Sequence, residues 1–110
     1  MLVRIEELQP EHLRLLMQAR DRAEYDAKCA KVKSEVTLNE LTAHFQAEGG
    51  SHAAAETKAK IDPKYKEALH EQFKSEYEFR EKKSAVEVWF ARKELWEAQE
   101  ATKRKEMSSY

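Results

Sequence analysis

The sequence predicts an all-α protein: a long antiparallel helical hairpin with a short connecting helix, coiled-coil-like and oligomeric. Three observations carry this. Charged residues make up 37% of the 110 residues, with only two Gly and two Pro, a composition typical of long, surface-rich helices. Apolar residues recur at helical spacing along most of the chain. One stretch, Asp62 to Met107, opens with Asp62-Pro63 and then contains no Gly and no further Pro. As a single helix it spans roughly 65 Å, at about 1.5 Å per residue. That exceeds the core of one small globule, so part of it must meet something else.

The chain reads as one helical domain, residues 1–110, in four segments. Residues 1–9 are an apolar lead-in, in which Leu2, Val3, Ile5 and Leu8 fold back on a longer helix or form a short edge strand. The first helix covers 10–48. Pro10 suits its first position, where a missing N–H costs nothing, and Glu11 suits its first turn. Its expected inner stripe is Leu13, Leu16, Met17, Ala23, Ala27, Ala30, Ser34, Leu38, Leu41 and Phe45. The three alanines would let another helix come close. Thr37 and Glu40 have the spacing of a capping box, which would mark a break at Val36, but the stripe keeps its phase across Thr37, so the helix reads as continuous or kinked near residue 37. Gly49-Gly50 ends it, because glycine adopts left-handed backbone without steric cost.

Ser51 caps a short Ala-rich helix over 52–60, and Ile61 is expected to anchor the corner. Asp62 and Pro63 launch the long helix, 63–107. Its expected inner stripe is Leu69, Phe73, Tyr77, Ser84, Val88, Ala91, Leu95, Ala98 and Thr102. A flanking row holds Tyr65, Phe79, Val86 and Phe90, and a third site holds Trp89 and Trp96. A surface helix with one core needs one stripe. Apolar groups on three sides around residues 86–96 therefore point to a homo-oligomer with Val86, Trp89, Phe90 and Trp96 at the interface. Pairs such as Glu76/Arg80 and Glu100/Arg104 staple the exposed faces, at about 0.2–0.5 kcal/mol each.

Charge and motifs exclude more than they select. The formal net charge is −1, from 20 basic and 21 acidic residues, without the basic excess of a tight nucleic-acid binder. Cys29 is the single cysteine, so no intrachain disulfide forms and a reducing cytoplasm fits. It reads as a small apolar residue of an Ala-rich helix. No apolar run is long enough for a membrane span, and no export signal is expected. The four histidines, His12, His44, His52 and His70, form no ligand spacing. His52 and Glu56 read as a surface pair. With no phosphate loop and no nucleophile elbow, the chain is expected to be non-enzymatic, with no cofactor and no metal.

Segment 41–69, LTAHFQAEGGSHAAAETKAKIDPKYKEAL, resembles small helical proteins of tailed phages and prophages. The matching positions are Gly50, Ser51, Ala54, Glu56, Lys60, Asp62, Pro63 and Tyr65, about half the chain being covered. Some such proteins are similar in plan to the UvsY-type recombination mediators, helical oligomers that help load a recombinase on single-stranded DNA. The resemblance implies phage origin and action in the host cytoplasm.

The expectation is a phage-type accessory protein that acts by binding. Single-stranded DNA would stack on the Trp pair and meet Arg92, Lys93, Lys103, Arg104 and Lys105 with its phosphates. The alternatives are a protein-directed inhibitor of a host enzyme or defence system, with Glu71, Glu76, Glu78 and Glu81 as a DNA-mimicking face, and a structural scaffold.

Overall fold

The structure is a computed structural model and describes residues 2–108. Every regular element among them is helical: a 3₁₀ turn over Ile5–Glu7, then α1 (Pro10–Ala47), α2 (His52–Ile61) and α3 (Pro63–Ser108). The ends follow local chemistry. Arg14 Nε donates to Glu11 Oε2 (3.0 Å) in the first turns of α1, and this bond holds the Glu11 carboxyl below its ordinary pKa. Gly49 and Gly50 lie at φ +112° and +101°, where a side chain would be strained, and α1 stops just before them. Ser51 Oγ accepts from Ala54 N (3.2 Å) to start α2. Asp62 Oδ1 accepts from Lys64 N (2.8 Å) to start α3.

Of the readings open at residue 37 the continuous helix is the one observed, and the expectation for Ile61 is revised. Helix α1 runs on through Thr37, whose hydroxyl donates to the Lys33 carbonyl (2.8 Å) instead of capping a new helix. The Thr-x-x-Glu spacing is thus a mid-helix coincidence, because a threonine inside a helix can bond the preceding turn. Ile61 is 64% exposed and anchors nothing. The buried side of α2 is formed instead by Ala55 and Ala59.

The chain divides into two compact units, one formed by Arg22–Phe79 and the other by the residues up to Asp21 together with those from Arg80 onward. In the 22–79 unit, Lys33 Nζ meets Glu71 (3.2 Å), and the one hydroxyl hydrogen of Ser34 is shared between Gln72 Oε1 and the Lys31 carbonyl. Thr37 and Glu40 line one cleft with Lys64, Glu67 and Ala68. Numbers rise on α1 as they fall on α3, so the helices run antiparallel here. The buried residues are Ala27, Ser34, Thr42, Ala55, Ala59 and Ala68. All are small, so the core comes from close backbone approach. Its two hydroxyls are satisfied, Thr42 by the Leu38 carbonyl (2.7 Å).

In the other unit, Val3 N donates to Gln99 Oε1 (3.1 Å) and Glu7 faces Arg92 (3.9 Å). The lead-in therefore folds back on α3 through a 3₁₀ turn, without forming a strand. Val86 and Trp89 are buried here, 4% and 8% exposed, with Leu13, Leu16, Met17 and Trp96 half-buried.

The α1 stripe falls on the inner side, but the α3 stripe, apart from half-buried Leu69, faces outward. Phe73, Tyr77, Val88 and Leu95 are 46–58% exposed. The inward positions are Ala68, Gln72, Ser75 and Phe79 in one unit and Val86, Trp89, Trp96 and Glu100 in the other. Within each unit these follow the four-three spacing that keeps one face of a helix against its neighbour. Apolar counting favoured the opposite side because α3 is apolar on two sides. Polar matching to α1, through Ser34 with Gln72, belongs to the side that is buried.

Ala59 is fully buried, so Ala59→Leu should overpack α2 and cost about 1–3 kcal/mol in urea unfolding. Ser51→Ala should cost about 1 kcal/mol through the lost cap.

Candidate functional site

The expected interface residues are split by the fold. Val86 and Trp89 lie inside the chain and leave little surface for a partner. Trp96 is half-buried, and Phe90 is 42% exposed with its ring edge-to-face on Trp89 at 5.3 Å. The residues that do point outward are the neighbours Val88 and Leu95. Trp89 Nε1 is buried without a hydrogen-bond partner, a donor that costs about 1–3 kcal/mol when desolvated.

The expected phosphate contacts are exposed and interleaved with carboxylates. Arg92 faces Glu7 (3.9 Å), Lys93 faces Glu97 (3.7 Å) and Lys103 faces Glu100 (3.4 Å). Arg104 Nε donates to the Glu100 carbonyl (3.4 Å), so that pair is a backbone contact and not a side-chain staple. Lys105 lies in the last turn of α3. Of this set, Lys103 joins Trp96 in a common cleft. That cleft, about 470 Å³, is lined by Trp96, Lys103, Gln99 and Glu100 of α3 and by the lead-in, including Arg4. Arg4 escaped the sequence reading because nothing in its local pattern ties residue 4 to residue 103.

The acidic face is broken up. Glu71 pairs with Lys33, and Glu76 is half-buried and accepts from Gln72 Nε2 (2.9 Å). His52 stands 3.8 Å from Glu56. Among the described residues, no group of three or more His, Cys, Asp or Glu is arranged to hold a metal ion. No described helix is long and apolar enough to cross a membrane.

A second apolar surface was missed. Tyr25, Val32 and Val36 on α1 are 63%, 58% and 46% exposed, and Cys29 among them is an exposed free thiol. They share one open face of α1 with Lys28, Lys33, Thr37 and Glu40. Cys29 beside Tyr25 holds the phenol pKa above its ordinary value. The signal was in the sequence as a four-three-four spacing, hidden by the assumption of one stripe per helix.

No protein family, no curated protein and no solved structure matches this chain.

Trp89 yields a test of the inner packing. Trp89→Ala should cost about 3–5 kcal/mol in urea unfolding. Trp89→Phe should cost less than about 1.5 kcal/mol, because it also removes the orphan N–H. Equal losses for the two variants would mean that the indole N–H makes a valuable bond.

Proposed function

We propose that this protein is a non-enzymatic accessory factor that acts by binding, of the phage type that its turn-and-cap segment resembles, in the cytoplasm of the host. It assembles through coiled-coil-like helix faces and presents apolar rows to protein partners. The observation that carries this reading is the outward row of Val88 and Leu95, seven residues apart on one face and 51% and 46% exposed on a helix whose other side is already packed. Large apolar groups gathered on one exposed face favour association. This row replaces Val86 and Trp89 at the centre of the expected interface.

Single-stranded DNA is the second reading, favoured by the cleft that brings Trp96 together with Arg4 and Lys103. A base stacks on an indole while cations hold its phosphates. The carboxylates beside these cations weaken that attraction. The DNA-mimic variant of the inhibitor reading keeps the exposed Glu78 and Glu81, while Glu71 pairs with Lys33 and Glu76 accepts from Gln72.

Sedimentation velocity with and without a fluorescent single-stranded oligonucleotide tests both readings. A discrete assembly larger than one chain is expected, with a lower mass for Val88→Ser combined with Leu95→Ser. A mass that the double variant leaves unchanged counts against this face. Oligonucleotide that sediments with the protein at low salt, is released at high salt and is lost in Lys103→Glu would move the function to DNA. A monomer that ignores the oligonucleotide overturns both readings.

A further inference from the structure

Helix α1 has two seams. The inner one, Ala27, Ala30, Ser34, Leu38 and Leu41, is buried or half-buried. The outer one, Tyr25, Cys29, Val32 and Val36, lies on the opposite side at about 100° per residue. Its spacing is that of coiled-coil core positions, and Asn39 and Ala43 continue it. All of these residues belong to the 22–79 unit.

We propose that this outer seam is the contact between two copies of the chain, laid antiparallel with Cys29 opposite Val32 of the second copy. The occupant is chosen by charge. The seam is flanked on one side by Lys28 and Glu35 and on the other by Asp26 and Lys33. In an antiparallel pair each flank meets its own equivalent. With Cys29 opposite Val32, Lys28 meets Glu35 and Asp26 meets Lys33, and each pair occurs twice by symmetry. Every flanking contact is then between opposite charges.

The competing arrangements fail the same check. Sliding one copy so that Cys29 faces Asn39 sets Glu35 against Glu35 and Lys33 against Lys33. Sliding it the other way, with Cys29 facing Tyr25, sets Lys28 against Lys28 and Asp26 against Asp26. A parallel pair in register sets Lys28 against Lys33 and Glu35 against Glu40. Like charges at these flanking positions reject a register as effectively as opposite charges select one. Within the single chain, Lys28 meets Glu24 (2.9 Å), Asp26 meets Arg22 (3.3 Å) and Lys33 meets Glu71 (3.2 Å). These pairs are exposed and of small worth, so exchanging them across an interface costs little. Four apolar residues per copy make a short seam, and the dimer is expected to be micromolar.

This inference rests on the reading that the protein works by association, but it names a different face from Val88 and Leu95. Two chains test it, Tyr25→Cys and Val36→Cys, each also carrying Cys29→Ser. Under mild diamide oxidation, a mixture of the two should give a disulfide-linked pair on a non-reducing denaturing gel. Each chain alone should give far less, since residue 25 faces residue 36 and not itself. Self-linking of each chain alone would show a parallel pair and overturn the proposal. In the otherwise unaltered protein, Lys28→Glu and Glu35→Lys should each weaken the dimer about tenfold, and the double variant should return it to within about twofold. All of these positions are exposed, and circular dichroism checks that each variant folds. An assembly that persists without the 25–36 link overturns this inference and leaves the proposed function standing, whereas a monomer removes both.

Discussion

Two helices lying side by side can bury only one stripe on each. Most of what this chain shows follows from that limit. On α3, burying Val86 and Trp89 sends Val88 and Leu95 outward. On α1, burying Ala27 and Ser34 sends Tyr25, Val32 and Val36 outward. The exposed rows are therefore the geometric remainder of helices that carry more apolar surface than one neighbour can cover.

The two units meet the limit with different chemistry. In the 22–79 unit the buried residues are Ala, Ser and Thr, so stability comes from close approach and from hydroxyls satisfied by carbonyls and by Gln72. In the other unit, Val86 and Trp89 supply bulk, and the lead-in is tied to α3 by a backbone bond to Gln99. A small-residue core tolerates little added volume, whereas a core built on one indole depends heavily on that ring.

Local signals were the legible part of the fold. Pro10, Gly49-Gly50, Ser51 and Asp62-Pro63 each mark an observed helix end, because caps and breakers act within a turn of themselves. The inner stripe of α1 was legible too, since Leu13, Leu16 and Met17 at one end and Leu38, Leu41 and Phe45 at the other hold one phase. The inner face of α3 was not. Phe73, Tyr77, Val88 and Leu95 are as apolar as the residues that pack inward, and the choice between faces depends on which side finds complementary groups on α1. The site suffered from the same ambiguity. Phe90 and Trp96 keep some surface, Val86 and Trp89 do not, and Arg4 reaches the Trp96 cleft only through the chain's return past Gln99.

Both tryptophans, buried Trp89 and half-buried Trp96, lie outside the 22–79 unit, whose own larger chromophores are the tyrosines Tyr25, Tyr65 and Tyr77. Indole fluorescence therefore reports on one unit alone, while far-ultraviolet dichroism sums the helices of both. Comparing the two signals during denaturation measures cooperativity directly: coincident curves mean that the chain melts as one, and separated curves assign an unfolding step to each unit.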